Sequence, residues 1–80
     1  MRIDKFLKNS RIIKRRTVAK EACDTGRVYI NGRAVKAGSE VSVGDKIKID
    51  FGNNTMEVKV LELLEHAPKD KAQGMYKIIN

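Results

Sequence analysis

The sequence predicts an α+β domain in which two short N-terminal helices pack on a small, mostly antiparallel sheet. Three observations carry this prediction: a helical spacing of apolar residues up to about Thr25, alternating apolar residues from Val28 onward, and turn-forming pairs between the alternating stretches. At 80 residues the chain has room for one domain with a thin core, so a roomy catalytic cleft is not expected. Hydrophobic residues make up 41% and charged residues 34%, polar for a globular domain but too rich in Val, Ile and Leu for disorder.

In the first segment, Ile3, Phe6 and Leu7 share one helical face and Arg2, Lys5 and Lys8 the other. Asn9 and Ser10 interrupt it, and Ile12 and Ile13 offer apolar side chains to tuck under the connection. Thr17 is the expected N-cap of a second helix that runs to about Thr25, buries Val18, Ala19, Ala22 and Cys23, and stops at Gly26.

After Gly26 the period becomes two. Val28 and Ile30 flank Tyr29, and Asn31-Gly32 follows as a tight hairpin signal, because both residues accept positive φ. Gly44-Asp45 marks another turn. Ile47, Ile49 and Phe51 then alternate with Lys46, Lys48 and Asp50, and after Gly52, Asn53 and Asn54 the run Met56, Val58, Val60 predicts an antiparallel partner strand. Lys69 to Gln73 has the length of one helical turn, and Met75 to Ile79 has strand-like composition fit for the sheet edge. Residues 1–65 are expected to form the domain proper, with 66–80 as a connector and edge strand of the same unit.

Charge is the most one-sided property of the chain. Its net value is +7, and residues 1–20 hold eight cations (Arg2, Lys5, Lys8, Arg11, Lys14, Arg15, Arg16 and Lys20) against the single acid Asp4. The remaining sixty residues carry nine cations and nine acids and so are neutral in total. A segregated field of this kind points to a polyanionic partner, and nucleic acid fits better than an anionic membrane surface. Arg15 and Arg16, placed just ahead of the second helix, are the expected phosphate seat, because planar guanidinium forks and helix N-terminal amides both favour anions. Arg2, Lys5, Lys8, Arg11, Lys14 and Lys20 extend the surface, and Arg33 and Lys36 are weaker candidates beside the hairpin turn. Asp4 reads as a cap or as a carboxylate that orients a neighbouring Arg.

Other chemistry finds little support. His66 is the sole histidine and Cys23 the sole cysteine, so no metal or cofactor site is expected and Cys23 reads as a buried apolar filler. Ser10 and Cys23 lack a base, and no phosphate-cradling Gly-x-x-x-x-Gly-Lys loop occurs. Both Phe residues are expected in apolar faces, leaving Tyr29 as the one candidate for stacking on a base. No run approaches the ~20 apolar residues a spanning helix needs, and the charged N-terminus does not read as a signal peptide, so a cytosolic protein is expected.

Arg2-Ile3-Asp4-Lys5-Phe6-Leu7 at the start, Gly26-Arg27-Val28-Tyr29-Ile30-Asn31-Gly32, Val35-Lys36, and Val41-Ser42-Val43-Gly44-Asp45-Lys46-Ile47 follow one another in this order. Together they resemble the RNA-binding domain of the ribosomal protein S-four type, with its αL-type pair of helices on a small sheet. The opening Arg2 to Lys8, the run Ile13 to Lys20 and the late Met75-Tyr76 are most similar to the short bacterial ribosome-quality-control factors of the RqcP type. That resemblance implies a non-enzymatic, monomeric factor that binds large-subunit rRNA and peptidyl-tRNA on an obstructed large ribosomal subunit. It also implies action with an RqcH-like alanine-tailing factor. A general recycling or RNA-chaperone module resembling the ribosome-associated heat-shock protein is the second reading. A DNA-binding regulator and an RNA-gripping enzyme subunit are the others.

Overall fold

The computed structural model describes residues 1–79; Asn80, the last residue of the expected C-terminal segment, lies outside them. The chain begins with α1 (Ile3–Asn9) and α2 (Arg16–Asp24), continues through β1 (Val28–Ile30), β2 (Arg33–Ala34), β3 (Lys46–Asp50) and β4 (Thr55–Val60), and closes with α3 (Lys69–Ala72), a 3₁₀ turn (Gln73–Met75) and β5 (Tyr76–Ile78). The strands form one antiparallel sheet in the order β2-β1-β3-β4-β5. This is the α+β architecture that the change of period predicts.

α1 forms around Ile3, Phe6 and Leu7, spaced so that all three meet the core, and each is 0% exposed. Burial of side chains this large stabilises by about 1.5–3 kcal/mol each. The N-terminal residues are tied to the segment before β3: the Ile3 amide donates to the Ser39 carbonyl at 2.8 Å, and the Val41 amide to the Met1 carbonyl at 3.0 Å. Ser10 closes the helix, its amide donating to the Phe6 carbonyl at 2.9 Å, and the Ile13 amide reaches back to the Leu7 carbonyl at 3.1 Å, drawing Ile13 into the core. Arg11, between them, adopts φ 63°, the left-handed region that disfavours a side chain.

α2 ends as its glycine predicts. Gly26 takes φ 80°, its amide donates to the Cys23 carbonyl, and the Arg27 amide donates to the Ala22 carbonyl, the paired bonds of a Schellman stop. Its start differs from the expectation: Thr17 is not the cap, because the helix begins at Arg16 with Arg15 in the cap position and no side-chain capping bond. An ion pair between Arg16 and Asp4 joins this first turn to α1, a tertiary contact that the local preference of Thr17 does not register. Val18 is also not buried. The contact stripe of α2 is narrow, made by the small residues Ala19 and Cys23, and Val18 falls off it with 49% exposure.

The hairpin joining β1 to β2 has Asn31 at φ 52° and Gly32 at φ 87°, with Ile30 opposite Arg33, which is the two-residue turn read from the sequence. Ile47, Ile49, Val58 and Val60 face inward and join the helical residues, Val28 and Met75 in one core. Phe51 departs from the alternation. It lies past the end of β3, where its amide closes the loop onto the Asn54 carbonyl at 2.9 Å, and it is 41% exposed rather than set in an apolar face. The C-terminal segment adds β5 to the free edge of β4, pairing Val58 with Ile78 and Val60 with Tyr76.

Candidate nucleic-acid interface

The cations of the first twenty residues do not form one even stripe. α1, α2 and the connection between them distribute these side chains around two concavities.

The first concavity, of about 300 Å³, is lined by Arg2, Asp4, Arg16, Thr17 and Lys20. At its base lies Asp4, only 2% exposed. Arg2 grips this carboxylate with two bonds, Nε to Oδ1 and Nη2 to Oδ2, both 3.2 Å. Arg16 approaches Oδ2 through Nε at 3.5 Å, and the Lys5 backbone amide donates to Oδ1 at 2.8 Å. One buried carboxylate therefore orients two half-exposed guanidinium groups from different helices. Each fork has five N–H donors and spends at most two here, so donors remain to meet an anion. Lys20 stands one turn beyond Arg16 on the same side of α2. Asp4 thus holds the orienting role expected of it.

The second concavity, of about 350 Å³, is lined by Lys8, Asn9, Arg11, Lys14, Glu65, His66, Ala67 and Pro68. Lys8, Arg11 and Lys14 make no ion pair among the described residues. The far wall is the 61–68 connector, held to α1 by the Asn9 side-chain amide, which donates to the carbonyls of Leu64 and Glu65 at 3.0 Å each. Lys5 pairs with Glu65 at the same junction, and its ammonium holds the Glu65 carboxyl below the ordinary carboxylate range. Local sequence places Asn9 at a helix end and His66 in a connector but none of Asn9, Glu65 and His66 in a cleft, because the contact spans more than fifty residues.

Arg15 caps α2 between these clefts, exposed and without an ion pair among the described residues. No residue of the first turn of α2 is itself acidic; the carboxylate that approaches it is Asp4, from α1, through Arg16. Arg33 and Lys36 lie apart from both clefts: Arg33 is on the edge strand β2, and the Lys36 ammonium donates to the Asp24 carbonyl at 3.3 Å near the C-terminal end of α2. Cys23 is buried between the helices, and burial together with the nearby Asp4 and Asp24 carboxylates pushes its thiol from 9.0 up to about 11, which suits a packing role. Among the described residues no His, Cys, Asp and Glu side chains gather as a metal site, and no helix is long and apolar enough to cross a membrane.

The fold and these clefts define a small α+β module that presents ordered cations on its helical side. Its sequence matches the S4 domain model over residues 1–47. It is 52% identical over 80 residues to the RQC P-site tRNA stabilizing factor of Streptococcus pneumoniae, covering 100% of this chain and 91% of that one. To the factor of the same name from Bacillus subtilis it is 51% identical over 79 residues, covering 99% and 92%. The trimeric structure of Vibrio cholerae Heat Shock Protein 15 superposes with a TM-score of 0.91 at 25% identity, covering 99% of this chain and 81% of that one. The chain belongs to the S4 domain family and, within it, to the group of RQC P-site tRNA stabilizing factors.

Proposed function

We propose that this protein is a non-enzymatic, cytoplasmic RNA-binding factor of bacterial ribosome-associated quality control. In this reading it grips large-subunit rRNA and peptidyl-tRNA on obstructed large ribosomal subunits. It acts there as a monomer beside an RqcH-like alanine-tailing factor and supports C-terminal alanine tailing of the stalled chain. The residues that make the grip are Arg2, Lys5, Lys8, Arg11, Lys14, Arg15, Arg16 and Lys20, with Arg33 and Lys36 at its margin. Residues 1–65 are the binding domain, and 66–80 serve it as connector and edge strand.

One observation carries this reading: two clefts lined by cations flank the exposed start of α2, and the guanidinium groups of one of them are oriented by a buried carboxylate. Two seats on either side of a helix N-terminus suit an RNA surface read by backbone shape rather than by base edges, since side chains do not enter the deep groove of an RNA helix. The names of the relatives, which join quality control to P-site tRNA, support the particular RNA.

The test is sedimentation of tagged protein from cells through a gradient. Large subunits bearing tRNA and the alanine-tailing factor are expected to travel with it; naked large subunits or diverse RNAs would favour a general recycling module, and chromosomal DNA would overturn the assignment. In vitro, contact with about six phosphates gives a log-log salt slope of roughly −4 to −5. Arg15→Glu with Arg16→Glu is expected to abolish association. Because Arg16 also holds Asp4, a companion triple variant, Lys8→Glu, Lys14→Glu and Arg15→Glu, alters only side chains free of ion pairs among the described residues. Undiminished binding by that folded triple would refute the site.

A further inference from the structure

Along the chain the sixty residues after Lys20 are neutral in total, but folding sorts their charges. The sheet has its helices on one side, and on the other it brings Lys46, Lys59 and Lys77 into a single cross-strand row: Lys46 is directly opposite Lys59, and Lys59 directly opposite Lys77. All three are exposed, and none makes an ion pair among the described residues. The acids nearby are engaged or stand outside the row, and Glu57 shares its face. Asp45 is engaged by the Asn31 side-chain amide and the Ser42 backbone amide, Asp50 by the Gly52 amide, and Glu57 stands opposite Lys48 in the next row.

Like charges directly opposite one another weaken a sheet. Protection of a sheet edge accounts for a lysine on β5, the outermost strand, but not for lysines on β3 and β4, which are paired on both sides. A groove of about 360 Å³ runs beside the row, lined by Asn31, Gly32, Lys46, Lys48, Ile79 and one carboxylate, Glu57, which faces Lys48. Lys48 itself lies over the Tyr29 ring at 5.6 Å, which holds that ammonium on the same face.

We infer that the outer face of the sheet is a second RNA contact, in which Lys46, Lys59 and Lys77 seat the phosphates of one strand laid across β3, β4 and β5. The protein then has charged surfaces on opposite sides of a thin domain and joins two RNA segments instead of lying on one. The row spans about 10 Å at the backbone, two interstrand spacings, and flexible lysine stems let each ammonium adjust to its phosphate.

The triple variant Lys46→Gln, Lys59→Gln, Lys77→Gln tests this with purified bacterial large ribosomal subunits carrying peptidyl-tRNA. Its thermal midpoint is expected to match or exceed the parent's, because the repulsion is relieved. Its salt slope should be shallower by about 2, which corresponds to roughly hundredfold weaker binding at 0.1 M monovalent salt. The triple Lys→Arg variant is expected to bind like the parent. A photo-crosslinking residue in place of Lys59 should form its adduct with RNA. Parental affinity and slope in the folded Gln variant would overturn the inference, as would an adduct on a protein chain, which would instead make this face a protein-docking surface. Neither outcome touches the helical-face reading, which the Lys8, Lys14 and Arg15 variant tests in the same assay.

Discussion

The two clefts on the helical side hold positive charge by different means. Around Asp4, a buried carboxylate fixes Arg2 and Arg16 at the cost of cancelling one of their charges. Around Lys8, Arg11 and Lys14 the one carboxylate, Glu65, pairs with Lys5 instead; the three cations are placed by the backbone, through the left-handed Arg11 and the Asn9 bonds to the 61–68 connector. The first arrangement trades net charge for orientation, and the second leaves its three cations without an ion pair among the described residues. Preorganised donors lose less freedom on binding, so the Asp4 cleft suits a defined phosphate geometry and the Lys8 cleft a looser electrostatic hold.

Asp4→Asn separates these contributions most sharply, because it raises the net charge by one while releasing both guanidinium groups. Since Arg2 and Arg16 are half exposed and rehydrate, the stability cost is about 1–3 kcal/mol in denaturant unfolding. Binding to large subunits is expected to weaken several-fold; tighter binding would mean that charge, not orientation, governs this cleft.

Asn9→Ala removes two bonds to the connector, with an expected loss of about 1–2 kcal/mol. Hydrogen exchange should then rise in residues 63–67 and not in β3, and unchanged protection there would show that the connector is held without Asn9, by its apolar contacts and the Leu61 and Glu62 amide bonds to the Met75 carbonyl.

Arg11→Gly sets strain against charge. Glycine relieves the positive φ, so stability should stay level or rise by up to about 1 kcal/mol, while the salt slope becomes shallower by about 0.7–0.9. A slope identical to the parent's would remove Arg11 from the interface.

The smallest effect is expected at Glu65→Gln. The exposed Lys5–Glu65 pair favours the folded state only where the carboxylate is ionised: its contribution is present above the ordinary carboxylate range and is lost as pH falls through the lowered value. At neutral pH the thermal midpoint should barely move, and freed Lys5 should leave RNA affinity equal or slightly higher. A clear fall in affinity would instead assign the Glu65 carboxylate a role in shaping the second cleft.

Much of this molecule is legible along the chain because the signals are local. Ile3, Phe6 and Leu7 lie within one helical turn of one another, Gly26 meets the chain exactly where a helix must stop in the left-handed region, and Asn31-Gly32 satisfies the backbone of a two-residue turn without outside help. The misreadings share the opposite property. Thr17 has the right chemistry for a cap, but the helix begins one residue earlier, at Arg16, whose partner Asp4 lies twelve residues away. Val18 is apolar enough to bury, but the narrow contact of Ala19 and Cys23 leaves it outside, and Phe51 keeps the alternation of β3 only until the chain turns away from the core.

The amino-acid order alone determined the α+β class, the two helices, the hairpins and the accumulation of positive charge before residue 21, since periodicity, turn chemistry and charge count require no knowledge of distant neighbours. Only the tertiary structure decided which cations share a cleft, that Asp4 orients two of them, that the connector walls the other cleft, and that three lysines from a neutral stretch align across the sheet. Those facts depend on residues far apart in sequence, and their positions are set by packing and strand register rather than by any local preference.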